Sequence, residues 1–79
     1  MPKRLKLSPL QRDVVVMLEE AGSETIGTVV ATVKPKDQSE FTRELDELIV
    51  LGLIQKVDGS PQSRSELILT EVGRQTLRS

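Results

Sequence analysis

Proline and glycine cut this chain into short segments. Pro9, Gly22, Pro35, Gly52 and the Gly59–Pro61 pair recur along it. Proline lacks an N–H and blocks helix interiors, and glycine supplies the left-handed turn that ends helices. No segment between such breaks allows more than about four to five turns of helix. Long helices are thereby excluded, and the chain must bury its apolar residues by folding several short elements against one another.

Each segment carries its own pattern. Ser8-Pro9-Leu10-Gln11 has the form of a helix start: a serine cap, proline at the first helical position and glutamine to complete a capping box. Leu10, Val14, Met17, Leu18 and Ala21 then follow at helical spacing up to Gly22. Ser23 or Thr25 can cap a second helix, in which Ile26, Val29, Val30 and Val33 fall at i, i+3, i+4 and i+7. So many β-branched residues also suit a strand, but the period favours a helix that Pro35 ends. A third helix is expected over 37–51, started by Asp37 or Ser39, with Asp37 and Glu40 at capping-box spacing and Phe41, Leu45, Leu48 and Ile49 on one face. Beyond Gly52, Leu53–Val57 alternates as a strand and 58–63 is a polar turn. Glu66–Leu69 reads as the returning strand, and Thr70 caps a last helix through Val72 and Leu77, weakened by Gly73. The expected fold class is α+β, mainly α. It is a winged helix-turn-helix of three helices, a two-stranded hairpin wing and a short C-terminal helix. Residues 1–7 form a basic arm and 8–79 a single domain.

Composition narrows the chemistry. The 79 residues include no Cys and no His, so a disulfide and the usual zinc sites are excluded, and no metal or cofactor is expected. Phe41 is the only aromatic residue, which argues against the stacking platforms that bind single strands. Without His or Cys, without a phosphate-binding Gly-rich loop and without calcium-loop spacing of acids, an enzyme is not expected. No apolar run is long enough to span a bilayer and no signal peptide is evident, so a cytoplasmic protein is expected.

Two segments carry a resemblance. Phe41-Thr42-Arg43-Glu44-Leu45-Asp46-Glu47-Leu48-Ile49-Val50-Leu51-Gly52-Leu53-Ile54 resembles the recognition helix and following L-x-x-L-x-x-x-G-L-I turn of winged-helix regulators of the MarR, PadR and ArsR kind. Leu69-Thr70-Glu71-Val72-Gly73-Arg74 is similar to their L-T-x-x-G return from wing to last helix. The resemblance implies a double-stranded DNA-binding regulator of transcription, with the helix 37–51 in the major groove and the wing 58–65 on the backbone or minor groove. Such regulators usually dimerise through long terminal helices, for which little chain remains here, so both monomer and homodimer stay open.

The charges suggest where DNA would lie. The net charge is only −1, so the distribution matters more than the sum. With Phe41, Leu45 and Leu48 inward, the third helix presents Ser39, Thr42, Arg43 and Asp46 on one side and Glu40, Glu44 and Glu47 on the other. On the first side Arg43 can reach guanine and Thr42 a thymine methyl, while Gln38 and Ser39 can bond a base or phosphate. Lys34 and Lys36 in the preceding turn are placed for phosphates. Ser63 and Arg64 belong to the wing, where the resemblance implies a backbone or minor-groove contact. Lys3, Arg4 and Lys6 add non-specific attraction. Arg43 can equally pair with Glu47 or Glu40 along its own helix. The alternative function is a protein-interaction module that offers the acidic face of the third helix to a basic protein partner.

Overall fold

The computed structural model describes residues 6–78. Its elements are α1 (Pro9–Ala21), β1 (Ser23–Thr25), α2 (Ile26–Val33), α3 (Gln38–Val50), β2 (Ile54–Val57), a single 3-10 turn (Gln62–Arg64), β3 (Glu66–Leu69) and α4 (Glu71–Arg78). The expected order of helices and strands is present. The sheet, however, has three strands in the order β1-β3-β2, both neighbours running antiparallel to β3.

The helix starts follow from local chemistry. The Ser8 hydroxyl accepts from the Gln11 amide at 3.1 Å, and the Gln11 side chain accepts from the Ser8 amide at 3.0 Å, closing the capping box. Thr25 caps α2 through the Thr28 amide at 3.3 Å, so Ile26–Val33 is helical as its period demands. Asp37 caps α3 by accepting from the Ser39 amide at 2.9 Å, and no capping box with Glu40 forms. The ends are equally local. Lys34, which precedes Pro35, takes a left-handed conformation at φ 52° and closes α2. Gly52, at φ 78°, donates to the Ile49 carbonyl while Leu53 donates to Leu48, the paired bonds of a Schellman ending.

One apolar core joins these elements. Val14, Val15 and Leu18 of α1, Val29 of α2, and Phe41, Leu45 and Leu48 of α3 close over Leu53, Ile54, Leu67 and Leu69. Leu7, at the end of the expected arm, packs against this cluster, whereas Ala21 is exposed. In β3 the alternation of buried Leu67 and Leu69 with Ile68 and Glu66 sets one face on the helices.

The third strand is the feature the sequence pattern lacks. Ser23–Thr25 pairs with Ile68–Glu66, and nothing in three polar or small residues signals a strand. The strand exists because the short link from α1 to α2 passes along the free edge of β3, where its backbone groups find partners. At the far end Thr70 ties the sheet to α4. Its hydroxyl lies 2.6 Å from the Gly52 carbonyl and accepts from the Gly73 amide at 3.1 Å. Gly73 is buried, and any side chain there would collide with the Leu53 carbonyl and the Leu69 methyl. Glycine in α4 is therefore a condition of close packing.

Candidate nucleic-acid interface

The buried stripe Phe41–Leu45–Leu48 fixes which way the rest of α3 faces. On the flank of the helix beside that stripe, Gln38, Thr42 and Asp46 line a cleft of about 540 Å³. Lys56 of β2 and Gln62 and Ser63 of the wing loop stand along the same cleft. Its floor is apolar and includes Ile26, Val30 and Ile49. Further around α3, Ser39 and Arg43 are exposed. Lys34 and Lys36 are also exposed, in the α2–α3 turn, and share a shallow depression with Asp13, Asp37 and Glu40. Arg64 is exposed at the end of the 3-10 turn.

The expected residues thus divide. Gln38, Thr42 and Ser63 are brought together around one cleft, while Ser39 and Arg43 occupy the outermost surface of the helix. Lys34 and Lys36 flank its N-terminal end as a separate group. Lys6 is exposed beside α1, and Lys3 and Arg4 lie outside the described residues.

The charges resolve two alternatives left open by the sequence. Among the described residues the only ion pair is Lys56–Asp58, at 3.8 Å. Arg43 is therefore not tied to Glu40 or Glu47, and its guanidinium points outward uncommitted. The acidic side of α3, by contrast, is not one free patch. Glu44 is half-buried and accepts a 2.7 Å hydrogen bond from the Ser8 hydroxyl. Its backbone carbonyl also accepts from the side chain of Gln11, which is 2% exposed. Glu44 thus clamps α3 to the start of α1, where a carboxylate is favoured by the helix dipole. Only Glu40 and Glu47 remain on the exposed part of that side.

Sequence reasoning missed Lys56 and Gln62. For Lys56 a signal was available: it lies two residues beyond buried Ile54, so both occupy one face of the sheet. Where the core ends, that face becomes the wall of the cleft. Gln62 had no such signal, because its place depends on how the wing loop folds back.

A helix-turn-helix followed by a β-hairpin wing, with a short strand from the first inter-helix link completing the sheet, is a winged helix, and its arrangement is the one found in MarR-family regulators. Among solved structures the chain is similar to a MarR-family transcriptional regulator from Silicibacter pomeroyi, at 28% identity and a TM-score of 0.76, over 91% of this chain and 48% of that one. It is also similar to the YusO protein from Bacillus subtilis, at 23% identity and a TM-score of 0.76, over 91% and 51% of the two chains. A mutant MarR from E. coli, solved in complex with operator DNA, shares the fold at 20% identity and a TM-score of 0.74, over 92% and 52%. The chain spans about half the length of these solved structures. No family model and no curated protein matches the sequence. Among the described residues no helix is long and apolar enough to cross a membrane, and no cluster of metal-ligating side chains occurs.

Proposed function

We propose that this chain is a double-stranded DNA-binding module of transcriptional control, with α3 in the major groove and the loop 58–65 against the adjacent backbone or minor groove. The observation that carries this reading is the outward, unpaired guanidinium of Arg43, on the exposed surface of a helix whose opposite side is locked into the core. A bidentate donor at that position matches the O6 and N7 acceptors of guanine. Thr42, one residue before it, suits a thymine methyl, and Gln38 and Ser39 suit a base edge or phosphate at the entering end of the helix. Lys34 and Lys36 before α3, and Ser63 and Arg64 beyond the sheet, lie where phosphates would flank a helix seated in the groove. Lys6, exposed before α1, adds to the basic surface, and Lys3 and Arg4 add positive charge for non-specific attraction. Support also comes from the fold shared with a regulator solved on its operator. The reading is of a binding protein rather than an enzyme, working in the cytoplasm alongside the chromosome.

The test compares two variants on a duplex selected from a random pool and on unrelated duplexes, by fluorescence anisotropy. Arg43→Ala should relax preference at one base position by about 1–3 kcal/mol and affect unrelated duplexes little. Lys36→Ala should weaken every duplex alike and lower the salt slope by about one. Equal loss on selected and unrelated DNA for Arg43→Ala would remove it from base reading.

A further inference from the structure

The wing loop is folded back on the body of the domain, and Ser65 makes hydrogen bonds both within the loop and to that body. Ser65 is 0% exposed, although it is polar and lies in a loop. Every hydrogen-bonding group it has is used. Its hydroxyl accepts from the Gly59 amide at 2.9 Å and donates to the Gln62 side-chain oxygen at 3.2 Å. Its amide donates to the Gln62 carbonyl at 3.0 Å, and its carbonyl accepts from the Ile26 amide at 2.8 Å. The two sides of the loop are thereby joined to each other and to the first residue of α2. The close approaches agree. A Cβ on Gly59 would lie 2.7 Å from the Arg64 carbonyl carbon and oxygen, and one on Gly27 would lie 3.2 Å from the Ser63 carbonyl oxygen. Both positions are glycine, which leaves room for the loop to seat against itself and against α2.

We infer that Ser65 is a positioning residue for DNA binding: its buried hydroxyl holds the two sides of the wing loop together, its main-chain carbonyl joins the loop to the start of α2, and together they set the placement of Ser63 and Arg64 relative to α3. The inference rests on the DNA reading for its functional half and on the hydrogen bonds and close approaches of the loop for its structural half. A wing of eight loop residues, 58–65, has no apolar core of its own. Left untied, it would have to be ordered on every encounter with DNA, at the expense of affinity. Tied through Ser65, it stands across the cleft from Gln38 and Thr42 before DNA arrives, and helix and wing meet the duplex as one rigid surface.

Two variants test this from opposite directions. Ser65→Ala removes the hydroxyl that ties Gly59 to Gln62 within the loop and keeps the main-chain bond to Ile26, whereas Gly27→Val leaves the hydroxyl in place but pushes Ser63 off its seat against α2. For each, heteronuclear NOE values of the amides of 59, 60 and 62–64 and affinity for a selected duplex are measured, with the amides of α1 and α3 reporting whether the body of the domain is intact. The expected result is loss of order confined to 59–64, together with binding weakened on the order of tenfold. Restoring a second hydroxyl geometry with Ser65→Thr should recover part of both in a way no purely volumetric role would. Wing amides as rigid in both variants as in the parent protein would overturn the role of Ser65 in holding the loop. Mobile wing amides with unchanged affinity would overturn its role in binding. Absence of duplex binding by the parent protein would instead overturn the DNA reading, while the NOE comparison still decides whether Ser65 holds the loop.

Discussion

Ser8 has two roles that a helix cap seldom combines. It satisfies the free amide of Gln11 and donates to the Glu44 carboxylate across the α1–α3 contact. Loss of a cap alone costs about 1 kcal/mol, and Ser8→Ala also leaves a half-buried carboxylate without its donor. The variant should therefore lose more than a simple cap, about 2 kcal/mol, in urea denaturation. Ser39→Ala, a neighbouring exposed substitution on α3, should fall within about 0.5 kcal/mol of the parent protein. The same contact explains why the acidic run of α3 was misleading in sequence: Glu40, Glu44 and Glu47 share a side of the helix, yet one of the three is structural. Helical spacing shows which residues lie on a common side but not which neighbouring helix that side meets.

At the scale of elements, glycines set the joints. Gly52 adopts a left-handed conformation with open space around its Cα, so Gly52→Ala should cost about 1 kcal/mol through backbone strain alone. Gly73 has ordinary helical φ but no room, and Gly73→Ala should be far more destabilising despite alanine's better helix propensity, because the Leu53 carbonyl or the Leu69 methyl must move. Thermal melts of the two variants would rank them; the opposite ranking would mean that α4 does not pack as described. From sequence, Gly73 reads only as a weak point in a helix. Its reason is a tertiary approach that no local pattern encodes. The four helices and the β2–β3 hairpin were legible, because capping residues, breaks and apolar periods are local signals that the packing reinforces. β1 was not legible: its three residues owe their conformation to pairing with β3, a partner more than forty residues away. The outward placement of Ser39, Thr42 and Arg43 was legible from the buried stripe of Phe41, Leu45 and Leu48. The fold of the wing loop was not, since it depends on the long-range bond between Ile26 and Ser65.

At the scale of the whole chain, a net charge of −1 limits how the proposed DNA partner could be held. Affinity must come from placement of a few cations rather than from a broad basic field. If Lys34, Lys36 and Arg64 neutralise phosphates while Arg43 reads a base, the plot of log affinity against log salt should have a slope of about −3. Isothermal binding to one duplex over a range of ionic strength measures it. A slope near zero would leave no phosphate contacts, and a much steeper one would implicate Lys3, Arg4 and Lys6 or a second copy of the chain. Homodimerisation would place two α3 helices on half-sites about one turn of DNA apart, and sedimentation of the complex distinguishes one bound chain from two.

The most direct test is an amide-resolved NMR titration of labelled protein with a mixed-sequence duplex, at low and then physiological salt. Shifts should concentrate in Lys34–Arg43 and Gly59–Ser65 and weaken as salt rises, with the α1–α3 contact at Ser8 and Glu44 undisturbed. Shifts absent at low salt, or confined to surfaces away from α3 and the wing, would contradict the DNA reading.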